Sequence, residues 1–225
     1  MVNSHPEVAA VESAHRVRRH WPLVSGCVAL GLAVALGALI VLRENGNPLG
    51  IDSWWMTLLT ENSNPVLQSV SLAMNFLGAG IVASFVVPGA IIILLLLRRR
   101  PWGALYFTLA TVLTGGAVQL LKHLFARTRP DTILVTVDFG SFPSGHVGNA
   151  AVMAFSLAIL FPRVWVWVAG TLYTIIMMLS RTYLGAHWLT DTVGALLLGV
   201  GIAVVVAAPL AAKIDGERRI RSSQV

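Results

Sequence analysis

The chain has 225 residues, of which 56% are hydrophobic and only 12% are charged, and its net charge is +6. Soluble domains carry about 25% charged residues, so this composition excludes a soluble globular protein and indicates an integral membrane protein. The basic residues are dispersed at the ends of apolar runs, a spacing that fits membrane topology and argues against nucleic-acid binding. The single cysteine, Cys27, excludes an intramolecular disulfide.

Six apolar runs in chain order predict an all-α, polytopic membrane protein with six transmembrane helices in a bundle. The runs cover residues 21–42, 77–97, 103–121, 147–161, 164–179 and 188–212. The fourth run is short, because a span needs about 20 residues, so we expect it to begin below the membrane surface. The connector 43–65 contains a short amphipathic piece, Trp54–Leu59, which is predicted to lie in the membrane interface.

The distribution of positive charge predicts the orientation of the chain in the cell membrane. Most of the 16 basic residues fall on one side of the bundle, and the positive-inside rule places that side in the cytoplasm. Both termini are then cytoplasmic. This assigns residues 1–20 to a cytoplasmic N-terminal segment, residues 21–212 to the membrane domain and residues 213–225 to a cytoplasmic basic tail.

Residues that could take part in catalysis or binding are concentrated at the predicted outer ends of spans three to six. They are Lys122 and Arg129 after span three, Ser144, Gly145 and His146 at the start of span four, Arg181 at the end of span five, and His187 and Asp191 at the start of span six. Ionisable residues at the ends of apolar spans are candidates for function. The sequence therefore predicts one site at the extracytoplasmic face. Arg127, close to this cluster, is interpreted as a snorkelling anchor.

The spacing of His187 and Asp191 places them on one face if the sixth helix already includes both. The carboxylate would then accept the imidazole N–H, leaving the other nitrogen free to act as a base, a nucleophile or a metal ligand. Lys122 and Arg129 are seven residues apart and would share a helical face if the third span continues toward Pro130. Cations around His187 repel a metal ion and attract an oxyanion such as phosphate.

The residues before span four add an anion site and a second histidine. Ser144 is a natural N-cap, the exposed N–H groups of a helix start bind anions, and Gly145 permits close backbone approach. Two histidines around an anion pocket suggest a division of labour, in which one attacks phosphorus and the other, His146, protonates the leaving oxygen.

Together these residues resemble the three-part signature of the type 2 phosphatidic acid phosphatase family, which also includes the vanadium haloperoxidases. The three parts are Lys122-x6-Arg129-Pro130, Pro143-Ser144-Gly145-His146 and Ser180-Arg181-x5-His187-x3-Asp191, and they extend over residues 122–191. The six-span layout is similar to that of the membrane-bound lipid phosphatases of the family rather than its soluble members.

The resemblance implies that His187 forms a phosphohistidine, that Asp191 orients it, and that His146 acts as general acid and then as base. The groups it assigns to the phosphoryl oxygens are Lys122, Arg129, Ser144, Gly145 and Arg181. It requires no metal and no cofactor. The expected partners are the bilayer and a lipid phosphate, namely polyprenyl pyrophosphate, phosphatidylglycerophosphate or phosphatidic acid, with headgroup selection in residues 43–65 and 131–142. Two alternatives stay open, a lipid phosphotransferase with an alcohol acceptor and a phospholipid-binding transporter.

Overall fold

A computed structural model describes residues 6–78 and 80–222, with side chains for residues 21–43, 45–78 and 80–219. The helices are α1 (Pro6–Glu44), α2 (Gly50–Glu61), α3 (Pro65–Gly78), α4 (Val87–Leu97), α5 (Pro101–Phe125), α6 (Gly145–Leu160), α7 (Val164–Tyr183) and α8 (Leu189–Ser222). A π-helical turn, Val82–Val86, leads into α4. The described part of the chain contains no β-strand, and the prediction of an all-α multi-pass membrane protein is confirmed.

Four of these helices are long and apolar enough to cross a membrane: α1 from Trp21, α5, α7 and α8. A fifth span is formed if α3 and α4 are counted together, because they are bent by 53° at a short break. Helix α6 is apolar but has only 16 residues, so its shortness is as predicted. The count of six spans stays a prediction.

The second span differs from the expected straight helix over residues 77–97. Its helix begins at Pro65, and polar residues in α3 such as Gln68 and Asn75 hide that beginning from a hydropathy pattern. The break falls where Gly78 leaves no side chain. A Cβ atom there would lie 2.6 Å from Cδ2 of His146 and 2.8 Å from Cε of Met177, so the glycine allows these two side chains to approach the helix.

Helix α8 is the packing centre of the bundle, since it contacts α1, α5 and α6. Glycines permit this close approach. A Cβ atom on Gly199 would lie 2.7 Å from the carbonyl oxygen of Gly148 in α6. The apolar core between α5, α6 and α8 includes the buried residues Tyr106, Phe107 and Val152. Large apolar side chains on the outside of the other helices are exposed, as lipid contact requires.

Helix α8 continues to Ser222, so the described part of the predicted basic tail is helical, and the boundary at residue 213 stays a prediction. The carboxylate of Glu217 accepts hydrogen bonds from the backbone N–H groups of Trp102 (2.7 Å) and Gly103 (3.2 Å). N–H groups in the first turn of a helix have no partner within the helix, so Glu217 caps α5. Residues 1–5 and 223–225, which belong to the predicted terminal segments, lie outside the described residues.

The four helix ends that the sequence predicts to converge do meet at one end of the bundle. The backbone N–H of Ser144, before α6, donates to the carbonyl of Asp191 in α8 at 3.2 Å. The loop after α5 reaches the loop between α7 and α8, where a Cβ atom on Gly185 would lie 2.1 Å from the carbonyl oxygen of Thr132. Gly185 also has a φ of +62°, so both the turn and the contact require glycine.

Candidate active site

The imidazole of His187 lies in the loop between α7 and α8 and is only 2% exposed. Its Nδ1 is 2.8 Å from the carbonyl oxygen of Ser141. A carbonyl only accepts hydrogen bonds, so Nδ1 carries the proton and Nε2 carries the lone pair. Nη1 of Arg129 lies 3.4 Å from this Nε2. The ring is therefore held in the tautomer that a nucleophile requires, with a cation beside the reactive nitrogen.

Asp191 supports His187 differently from the predicted arrangement. Helix α8 begins at Leu189, so His187 precedes it, and the distance from Nδ1 to the nearer carboxylate oxygen is 3.6 Å. This is too long for a hydrogen bond. Instead the carboxylate accepts the hydroxyl of Ser141 and the backbone N–H of Trp188. Asp191 thus places its charge near the imidazole and also positions Ser141, whose carbonyl accepts the hydrogen bond from Nδ1.

Arg127 is not the snorkelling anchor that the sequence suggested. Its side chain is completely buried, and it bridges Asp52 (2.7 Å) and Asp191 (2.6 Å), whose side chains are also completely buried. Thr190 joins the network by donating its backbone N–H to Asp52 at 2.9 Å. A signal was available, because the positive-inside rule disfavours an arginine at a span end that is predicted to face outward. Sequence analysis also missed Asp52.

Lys122 and Arg129 converge as predicted, but not along a common helix. Helix α5 ends at Phe125, and Ala126 adopts a left-handed conformation with φ of 42°, so Arg129 belongs to the loop. Nζ of Lys122 and Nη2 of Arg129 both donate to Oδ1 of Asp138, at 3.0 and 2.6 Å. The predicted pair therefore exists, with a carboxylate oxygen between its charges.

Arg181 reaches the same region from the end of α7. It is 1% exposed, and its Nη1 donates to the side-chain oxygen of Asn75 in α3. It lies close enough to Arg129 and Asp138 for their charges to act on it. Ser180, the preceding residue in the signature, donates its hydroxyl to the carbonyl of Ser71 at 2.9 Å. Residues of α3 therefore attach to the end of α7 at two points.

The start of α6 presents polar groups that the protein itself does not use. Ser144 is the N-cap residue, but its hydroxyl makes no capping hydrogen bond, and both this hydroxyl and Nε2 of His146 are buried without a partner. A Cβ atom on Gly145 would meet only Val118, at 3.7 Å, so packing does not require glycine there. His146 is close enough to Arg181 for the charge of the guanidinium to act on it.

A cavity of about 350 Å³ adjoins this helix start. It lies between the bent pair α3–α4, α5 and α6, and its lining includes Gly78, Gln119, Gly145, His146 and Asn149. The side-chain amide of Asn149 donates to the carbonyl of Ala83 in the π-helical turn at 2.9 Å. The cavity thus connects the groups at the start of α6 with the break in the second span.

His187 and Asp138, two groups in loops near the cations, both have lowered pKa values, but for different reasons. Burial lowers the pKa of His187 to about 4, although the nearby carboxylate of Asp191 opposes the shift. Burial would raise the pKa of Asp138, but the hydrogen bond and charge of Lys122 and the charge of Arg129 outweigh it and hold this pKa below its usual range. At neutral pH the imidazole is uncharged and the carboxylate is ionised.

Comparison with known proteins identifies the family. The model of the PAP2 superfamily matches residues 103–214. Over 148 residues the chain is 32% identical to phosphatidylglycerophosphatase B of Bacillus subtilis, covering 60% of this chain and 71% of that protein. The chain belongs to the PAP2 superfamily. It is also 26% identical over 183 residues to an undecaprenyl-diphosphatase of Sulfolobus acidocaldarius, covering 76% of this chain and 84% of that protein.

The fold agrees with this family. The crystal structure of a transmembrane PAP2-type phosphatidylglycerolphosphate phosphatase from Bacillus subtilis aligns with a TM-score of 0.69 and 26% identity, covering 84% of this chain and 96% of that one. The chain is therefore a membrane lipid phosphatase of the PAP2 superfamily. Within the described residues, no group of three or more His, Cys, Asp or Glu side chains is arranged to hold a metal ion.

Proposed function

We propose that this PAP2 phosphatase hydrolyses a terminal phosphate of a membrane lipid through a phosphohistidine on His187, at the extracytoplasmic face. The observation that carries the proposal is the hydrogen bond from Nδ1 of His187 to the Ser141 carbonyl, 2.8 Å long, which leaves the lone pair of Nε2 directed toward Arg129, at 3.4 Å. A buried, neutral imidazole in that tautomer is suited to attack phosphorus.

In the first step, Nε2 of His187 forms a bond to phosphorus as the bond from phosphorus to the leaving oxygen breaks. His146 gives a proton to that oxygen, so the lipid leaves as an alcohol, or as a lipid monophosphate when the substrate is a pyrophosphate. Asp191, with its charge 3.6 Å from Nδ1, stabilises the positive charge that develops on the imidazole.

In the second step, water replaces the lipid on the same side of the phosphohistidine. His146, now neutral, takes a proton from the water as its oxygen attacks phosphorus. The bond between phosphorus and Nε2 breaks, inorganic phosphate is released, and both histidines return to their starting states. The same intermediate would yield a phosphorylated alcohol if an alcohol took the place of water.

The charges around His187 favour a phosphoryl dianion. Lys122, Arg129 and Arg181 are cations, and Asp138 pairs with Lys122 and Arg129 in the described structure. Asp191 is paired with Arg127, so these three cations outnumber the remaining carboxylate. Positioned cations and unpaired donors in a site with little water stabilise the charge of a phosphoryl transition state. The free hydroxyl of Ser144 and the N–H groups at the start of α6 supply further donors.

The relatives suggest which lipids to test. Phosphatidylglycerophosphatase B and undecaprenyl-diphosphatase are the names of the two similar proteins described above, so the panel comprises phosphatidylglycerophosphate, a polyprenyl pyrophosphate and phosphatidic acid. Phosphate release from each should be measured in detergent, with and without an alcohol acceptor. Release without an acceptor supports hydrolysis, whereas product formed only with an acceptor identifies a transferase.

The nucleophile is tested by His187→Ala in the same assay. We expect phosphate release to fall by at least about 1,000-fold, because no covalent intermediate can form. His123→Ala is the matched control, since His123 is an exposed histidine outside the site. Size-exclusion profiles of both variants verify folding, and substantial turnover by His187→Ala would exclude the phosphohistidine.

Activity should also persist in excess EDTA, and a loss restored only by a divalent metal would contradict this scheme.

A further inference from the structure

Asp138 occupies the position between the two cations that a phosphoryl oxygen would need. One oxygen, Oδ1, accepts from Nζ of Lys122 at 3.0 Å and from Nη2 of Arg129 at 2.6 Å. Lysine and arginine form the same kind of charge-assisted hydrogen bond with phosphate oxygens as with a carboxylate. The same guanidinium of Arg129 lies 3.4 Å from Nε2 of His187. Arg129 therefore contacts both the Asp138 carboxylate and the nitrogen proposed to attack phosphorus.

Asp138 is also free to leave without disturbing the cations. Its side chain is 59% exposed, whereas those of Lys122 and Arg129 are 1% and 9% exposed. The cations are held independently by backbone carbonyls, since both donate to the carbonyl of Gly140 at 2.8 Å. Only the carboxylate end of these ion pairs is exposed, so a substrate oxygen can replace it while the backbone carbonyls keep the cations in place.

We propose that Asp138 is an internal competitor for the phosphate position and sets a charge threshold, so that doubly charged phosphate groups displace it and singly charged phosphodiesters do not. The proposal rests on the proposed function, because it concerns the selectivity of the same site. It identifies Asp138, in the loop 126–144, as a residue that determines specificity.

The threshold follows from charge and tethering. A phosphomonoester carries about 1.5 to 2 negative charges at neutral pH, whereas a phosphodiester and a carboxylate each carry one. A tethered carboxylate competes at an effective concentration of order millimolar. A singly charged ligand that binds the cations with the same strength as the carboxylate therefore gains little free energy by displacing it. Because the low pKa of Asp138 keeps it ionised, the competitor is present throughout the neutral range. The bulk phospholipids of a bilayer are phosphodiesters, and this competition keeps them out of the site.

The test is direct binding of two probes to the full-length protein in detergent at pH 7.5, by isothermal titration calorimetry. Orthophosphate is the doubly charged probe and dimethyl phosphate the singly charged one. Asp138→Asn removes the charge and keeps the backbone carbonyl that bonds Arg129 at 3.0 Å. Asp131→Asn is the matched control, because it removes the same charge from an exposed position in the same loop.

We expect Asp138→Asn to lower the dissociation constant for orthophosphate by about tenfold and to make dimethyl phosphate binding measurable, while Asp131→Asn behaves like the wild type. Equal or weaker orthophosphate binding by Asp138→Asn than by Asp131→Asn overturns the proposal. Weaker binding would instead assign Asp138 to positioning of the cations. Binding is measured without turnover, so an inactive wild type on the lipid panel would count against the proposed function alone.

Discussion

Ser141 links the two residues of the His187–Asp191 pair through different atoms. Its carbonyl accepts from Nδ1 of His187 at 2.8 Å, and its hydroxyl donates to Asp191. The backbone of Ser141 is itself anchored, since its N–H donates to the carbonyl of Arg127 at 2.9 Å. Because the carbonyl contact needs no particular side chain, the tautomer of His187, the proposed nucleophile, depends on the path of the loop.

The protonation state of His187 is a prediction at this scale. Burial disfavours the imidazolium and lowers the pKa to about 4, so the ring is protonated only as the pH falls through that value, well below the usual value of about 6.5. NMR of histidine-labelled protein in detergent, with the resonance assigned by His187→Gln, should show a neutral ring protonated at Nδ1 from pH 8 to pH 5.5. A titration midpoint near 6.5 would contradict the burial argument.

At the scale of elements, the buried network of Arg127 ties α2, the loop after α5 and the start of α8 together. Asp52 belongs to α2, Arg127 to the loop after α5, and Asp191 to the first turn of α8. The two ion pairs are 2.7 and 2.6 Å long and completely buried. The orientation of the first turn of α8, and with it the loop that carries His187, therefore depends on α2.

Replacing Arg127 tests this dependence. Arg127→Gln leaves two buried carboxylates without their cation, and breaking a buried pair typically costs about 3–5 kcal/mol. Thermal unfolding in detergent should show this loss, together with reduced phosphate release. Arg163→Gln is the control, because Arg163 is exposed and surface substitutions change stability by about 0.5 kcal/mol or less. Equal stability of the two variants would show that the network is not structural.

A second feature at this scale is the break between α3 and α4. Residues before the break hold the site, since Asn75 contacts Arg181 and Gly78 leaves space for His146. Residues after it line the cavity of about 350 Å³. A straight second span would separate these two roles, so the bend allows one apolar segment both to cross the membrane and to support polar groups.

For the whole molecule, the convergence of four helix ends places every candidate site residue at one end of the bundle. The opposite end carries a different set of contacts, such as the cap of α5 by Glu217 and the bond from Arg218 to the carbonyl of Ile159 at 2.8 Å. Basic residues concentrated at that end predict that it faces the cytoplasm. The site then faces outward, where phosphorylated lipids of the outer leaflet are accessible.

Orientation is tested with one accessible cysteine. Thr136 is exposed in the loop 126–144, and Cys27, also exposed, is replaced by alanine to remove the background. Thr136→Cys should react with an impermeant thiol reagent added to intact cells. A cysteine at exposed Arg163, at the opposite end, should react only after lysis. The reverse pattern would overturn the cytoplasmic assignment of the termini.

The sequence by itself determined the membrane class, the helical architecture and the identities of the residues at the four helix ends. These follow from local information, because hydropathy, charge placement and motif spacing are properties of short segments. The tertiary structure decided which groups those residues contact. Arg127 pairs with a residue 75 positions away, and the partner of Nδ1 in His187 is a backbone carbonyl 46 positions away. No local pattern identifies the partner in either contact, since each depends on how loops and helices meet in space.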